Sequence, residues 1–135
     1  MEKRVTKSAL ETQAFAKEIA KTLKNGDIVA LYGDLGSGKT TFVQGLAKGL
    51  GITQRIISPT FIIMRSYDKN FYHVDLYRTE TEKDIEGLGL PEIMEDSESI
   101  VVIEWPEKIE KLLPQHTKRM YFKYRNNNER EITYA

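Results

Sequence analysis

Residues 33 to 40 read Gly33-Asp34-Leu35-Gly36-Ser37-Gly38-Lys39-Thr40, a full match to G-x-x-x-x-G-K-[ST], between the apolar run Ile28 to Tyr32 and an amphipathic stretch. This constrains the fold most, because such a loop works only between a strand that delivers it and a helix whose N-terminus it opens. Its glycines let backbone N–H groups turn inward around phosphate oxygens. Lys39 supplies a charge for the β- and γ-phosphates, and Thr40 offers a hydroxyl to Mg²⁺. The helix that follows points its dipole at the same anion. The expected ligand is a nucleoside triphosphate.

The flanking segments support that context. Ser8-Ala9-Leu10-Glu11 has the form of a capping box, and Phe15, Ile19 and Leu23 recur every four residues until Asn25-Gly26, which predicts an amphipathic helix. Asp27 to Tyr32 reads as a buried strand because Ile28-Val29-Ala30-Leu31 is apolar on both faces, as is Ile100 to Ile103, which is what central parallel strands require. Phe42, Val43, Leu46, Ala47 and Leu50 form a helical stripe closed by Gly51. Ile56 to Met64 is rich in β-formers but broken by Ser58-Pro59, which rules out an uninterrupted central strand. Ile62 to Tyr67 and Phe71 to Tyr77 flank Asp68-Lys69-Asn70 as a hairpin. A second hairpin pairs Met120 to Tyr124 with Glu131 to Tyr134 around Asn126-Asn127-Asn128. Short helices are expected at Thr81 to Glu86 and Glu107 to Leu113. The fold class is therefore α/β: one P-loop NTPase domain over residues 1–135, a mostly parallel central sheet flanked by helices, with antiparallel hairpin additions.

Composition narrows the partners. Twenty Lys and Arg balance twenty Asp and Glu, so no global positive field draws the chain to nucleic acid or to an anionic membrane. There is no cysteine, hence no disulfide framework or thiolate metal site. No apolar run approaches a membrane span and no signal peptide follows Met1-Glu2-Lys3-Arg4, so a cytoplasmic location is expected.

Hydrolysis needs a carboxylate near Mg²⁺ and a group that positions water. Glu104 directly follows four apolar residues, at a strand's carboxyl end where open α/β sheets place ligands. In Phe71 to Arg78, alternation puts His73 and Asp75 on one face, with Val74 and Leu76 on the other. Asp75 is a candidate to hold Mg²⁺ through water or to orient the attacking water. His73 reads as a structural hydrogen-bonder and Arg78 as a surface ion pair. Thr60, in Ser58-Pro59-Thr60, is a candidate γ-phosphate sensor, and Trp105, the only tryptophan, either lies near the nucleotide, docks a partner or packs in the core. The only D-x-x-G, Asp84 to Gly87, follows polar residues, and there is no N-K-x-D, so guanine recognition is not expected. A small-molecule kinase normally devotes an insertion to an arginine-bearing lid, and the short acidic span between Arg78 and Ile100 disfavours that reading.

Taken together, Gly33 to Thr41, Ser58-Pro59-Thr60-Phe61, His73 to Arg78 and Ile103-Glu104-Trp105-Pro106-Glu107 resemble the TsaE family, formerly YjeE, over residues from about 5 to 113. Ser37 stands where the family usually has Ala, and the carboxy-terminal hairpin carries no motif of its own. The resemblance implies a Mg²⁺-dependent ATPase that acts with TsaB and TsaD in threonylcarbamoylation of the adenosine beside the anticodon in tRNA. It would not itself be the transferase, and it would meet tRNA only through the complex. By position, Asp34, Gly36, Ser37, Gly38, Lys39, Thr40 and Thr41 would cradle the phosphates, and Thr40 and Glu104 would hold Mg²⁺. Asp75, Glu104, Lys39 and Thr60 would serve hydrolysis. Trp105 would lie close to the nucleotide, and the amino-terminal segment around Ser8 near the adenine. A small-molecule kinase and a nucleotide-gated binding module are the competing readings.

Overall fold

The computed structural model describes residues 1–57, 63–126 and 128–135. Among the described residues seven strands form one sheet: β1 (Glu2–Thr6), β2 (Ile28–Tyr32), β3 (Met64–Tyr67), β4 (Phe71–Asp75), β5 (Ile100–Glu104), β6 (Lys118–Tyr124) and β7 (Arg130–Tyr134). Their order is β1-β7-β6-β2-β5-β4-β3. Among the described residues the helices are α1 (Ala9–Ala20), α2 (Lys39–Gly49), α3 (Glu82–Glu86) and α4 (Leu90–Glu95), with 3₁₀ turns at Asp68–Asn70 and Pro106–Leu112.

The parallel expectation holds for the four central strands, β6, β2, β5 and β4. Outside them β3, β7 and β1 add antiparallel, so among the described residues parallel and antiparallel pairings are equally numerous, and "mostly parallel" describes only the centre. Both faces of β2 and β5 are covered, which is why their sequences are continuously apolar. Val29, Leu31 and Val102 face α1 and α2 through Phe15, Phe42, Val43 and Leu46, whereas Ile28, Val101 and Ile103 face α3 and α4 through Ile85, Leu90 and Met94.

Ser8 caps α1, its hydroxyl accepting from Glu11 N at 3.1 Å, while the Glu11 carboxylate accepts from Lys7 N. The reciprocal bond thus falls one residue before the cap. α1 ends at Ala20, short of Leu23, which still packs on the core. Thr81 caps α3 in a complete capping box with Asp84. β4 stops at Asp75 rather than Tyr77, because the Asp75 carboxylate accepts from Tyr77 N at 3.0 Å and turns the chain. The segment expected as a helix at Glu107 to Leu113 is a 3₁₀ run. β1 and α4 lie outside the sequence expectations: Glu2-Lys3-Arg4 is exposed on an edge strand, and α4 is a short helix with Pro91 in its first turn. Ser58-Pro59-Thr60-Phe61 and Ile62 fall outside the described residues.

Candidate nucleotide site

β2, β5 and β4 are neighbours and run in the same direction, so the loop after β2, Glu104 at the end of β5 and Asp75 at the end of β4 meet at one edge. Asp75 and Glu104 are register partners. Between them and the loop lies a cavity of about 370 Å³, lined among others by Gly36, Gly38, Lys39, Thr40, Asp75 and Glu104.

The loop takes its shape from left-handed residues: φ is +79° at Gly36 and +100° at Gly38. Gly38 caps α2 without a side-chain hydrogen bond, which leaves the first-turn amides without a side-chain acceptor. Thr40 lies in that first turn, and its Oγ1 is 3.4 Å from Glu104 Oε2. Adjacent ligands of an octahedral Mg²⁺ are separated by about 3 Å, given metal–oxygen distances of 2.0–2.1 Å. The pair fits such an ion, with phosphates and water completing the shell. No group of three or more His, Cys, Asp or Glu among the described residues could hold a metal without them.

Lys39 is buried, its Nζ donating to Gly33 O at 2.5 Å and lying 4.2 Å from the Trp105 ring centroid. Burial pushes its pKa down, against the pull of Glu104, Asp75, Glu107 and Asp34. Asp75 is shifted the other way. Burial raises its pKa and Glu104 adds to the rise, while the Tyr77 N–H, His73 and Lys39 oppose it. His73 has no solvent exposure, and its Nε2 is 2.6 Å from Glu104 Oε2, so one carboxylate oxygen faces both Thr40 and the histidine. Its structural reading thus holds, but the bond it makes fixes a candidate metal ligand.

Trp105 has φ +59°, uncommon for a bulky residue, and its ring sits 4.9 Å from that of Tyr77 while also packing on the second core. Arg78, expected at the surface, is exposed and also lines the cavity. Ser8 and Thr41 line a second cavity of about 320 Å³ that shares Gly38, Thr41 and Arg130 with the first. Asp34 and Ser37 do not reach the cavity wall: Asp34 is exposed, and Ser37 is buried beneath Gly33. Thr60 lies outside the described residues. Two residues had no signal in the sequence. Lys108 donates to Tyr77 O and Thr79 O, at 2.8 and 2.5 Å, and ties the turn after β4 to the 3₁₀ run; Arg130 reaches the loop from β7.

The family model for threonylcarbamoyl adenosine biosynthesis protein TsaE matches residues 6–132. The chain belongs to the TsaE family. The match runs into β7, so TsaE similarity takes in most of the carboxy-terminal hairpin, which carries no sequence motif. A tRNA threonylcarbamoyladenosine biosynthesis protein TsaE of Bacillus subtilis is 45% identical over 128 residues, covering 93% of this chain and 79% of the relative. The TsaE of Treponema pallidum is 37% identical over 133 residues, covering 97% and 98%. The crystal structure of Bacillus subtilis YdiB superposes with a TM-score of 0.83 at 38% identity, covering 98% of this chain and 83% of that one.

Proposed function

We propose that this chain is a P-loop ATPase domain over residues 1–135 that binds and hydrolyses ATP as an accessory subunit in tRNA threonylcarbamoyladenosine formation. In this reading it acts with TsaB and TsaD and is not the transferase. The observation that carries the chemistry is the placement of Thr40 and Glu104 3.4 Å apart beside the buried Lys39. Family membership carries the biological context.

In this reading, the loop amides and the α2 N-terminus bind the phosphates, and Lys39 leaves the Gly33 carbonyl for the β- and γ-oxygens. Thr40 and Glu104 hold Mg²⁺, which when bound neutralises charge on the phosphate oxygens. His73 fixes the Glu104 carboxylate. Asp75, with one oxygen on the Tyr77 N–H, accepts a hydrogen bond from the attacking water and aligns it. No helix among the described residues is long and apolar enough to cross a membrane, and we assign the protein to the cytoplasm, with tRNA met only through its protein partners.

The test is phosphate release from ATP with and without TsaB–TsaD. Stimulation by the pair is expected, and equal turnover would overturn the coupling. Label from γ-labelled ATP is expected as free phosphate; its appearance on a small metabolite would make the protein a kinase instead.

A further inference from the structure

The β6–β7 hairpin brings to the phosphate loop a cation that the motifs do not include. β6 runs parallel to β2, so Tyr124 reaches the edge where β2 delivers the loop; β7 starts there at Arg130, and β1 returns there at Thr6. Tyr124, Arg130 and Thr6 are neighbours in one cross-strand row. The Arg130 guanidinium carbon lies 4.6 Å from the Tyr124 ring centroid, and Nη1 donates to Glu129 O at 3.3 Å. One face of the fork is thereby held, while most of its donors have no partner among the described residues. The arginine also crosses the helix cap: a Cβ added at Gly38 would sit 3.2 Å from Arg130 Nε and 3.4 Å from Cγ and Cδ.

Arg130, Gly38 and Thr41 form the junction of the two cavities, whereas Lys39 lines only the first. A nucleotide with its phosphates on the first turn of α2 and its nucleoside in the second cavity must cross this junction. We propose that Arg130 is a phosphate-binding residue of the nucleotide site, with the Tyr124 ring holding its guanidinium against the loop. The proposal rests on the ATP-site reading above. Phosphate rather than base is the target because the stem lies along Gly38, where the helix N-terminus gathers anionic charge.

Calorimetric titration with ADP, and displacement of ADP by tripolyphosphate, test this on the intact chain and on Arg130→Ala and Arg130→Gln. Loss of a charge-assisted contact should weaken ADP about ten- to a hundredfold and weaken tripolyphosphate in parallel, with Arg130→Lys recovering part of the loss. ADP affinity within about twofold of the parent in both variants would overturn the proposal, taking about 1.4 kcal/mol per tenfold as the scale. So would weakened ADP with unchanged tripolyphosphate, which places Arg130 on the nucleoside. Should the Arg130 variants not fold, Tyr124→Leu, at an exposed ring, reads the same device: a loss of about threefold supports it and an unchanged affinity overturns it. A parent chain that binds neither ADP nor ATP refutes the ATP site itself, an outcome distinct from all of these.

Discussion

Lys39 and Asp75 show how burial sets opposite demands on two neighbouring charges. Lys39→Ala removes the phosphate counter-charge, so nucleotide affinity should fall by at least about tenfold and ATP turnover should vanish, read by calorimetry and phosphate release. Normal hydrolysis by this variant would refute the site. Asp75→Asn keeps an acceptor for the Tyr77 N–H but cannot ionise; it should bind ATP and hydrolyse it about a hundredfold more slowly. Its stability carries a pH signature. The folded-state pKa of Asp75 is raised, so ionising it costs folding free energy. That cost is absent below the ordinary carboxylate pKa, grows as pH rises, and is complete above the folded value. Without nucleotide, therefore, Asp75→Asn should melt above the parent at neutral pH and converge with it in acid, the gain being trimmed because Lys39 loses one of its carboxylate neighbours. A difference in Tm that is flat with pH would show that the Asp75 charge costs nothing.

Elements were legible in the sequence where one local rule settled them, and illegible where a neighbour did. β2 and β5 announced themselves through apolar residues on both faces, and α2 through its stripe. β1 did not, because an edge strand with Glu2, Lys3 and Arg4 exposed has no pattern to show; yet β1 is what carries Ser8 to the site. α2 holds a second kind of hidden information. Gly45 reads as a weak helix residue, but a Cβ there would lie 2.5 Å from Gln13 O and 2.6 Å from Gln13 Cα, so the glycine sets how closely α1 and α2 pack. Gly45→Ala should lower stability by about 1–3 kcal/mol, despite the roughly 1 kcal/mol of helix propensity it gains, because backbone must move. Thermal melting decides: a higher Tm would show that the helix pair yields without cost.

On the scale of the whole molecule, the candidate site belongs to the strand order rather than to any segment. Glu104 was readable as a strand-end acid and Asp75 as an acid on one face of a strand, but nothing local says that β5 inserts between β2 and β4 and places both beside Lys39. Nor does it say that β7, last in the chain, brings Arg130 to the loop at its start. A ligand that touches the ends of β2, β4, β5 and β7 and the cap of α1 should therefore couple segments far apart in sequence. At free nucleotide one hundred times its Kd, binding to the folded state alone adds about 2.7 kcal/mol. For a chain of this length that raises Tm by roughly 10 °C. Lys39→Ala should lose most of that rise while keeping its unliganded fold. Hydrogen exchange should slow on ADP addition at residues 33–41, at 75–78 and at the hairpin around 128–130 together. Protection confined to 33–41 would show a loop that binds phosphate by itself, without the edge that the strand order builds around it.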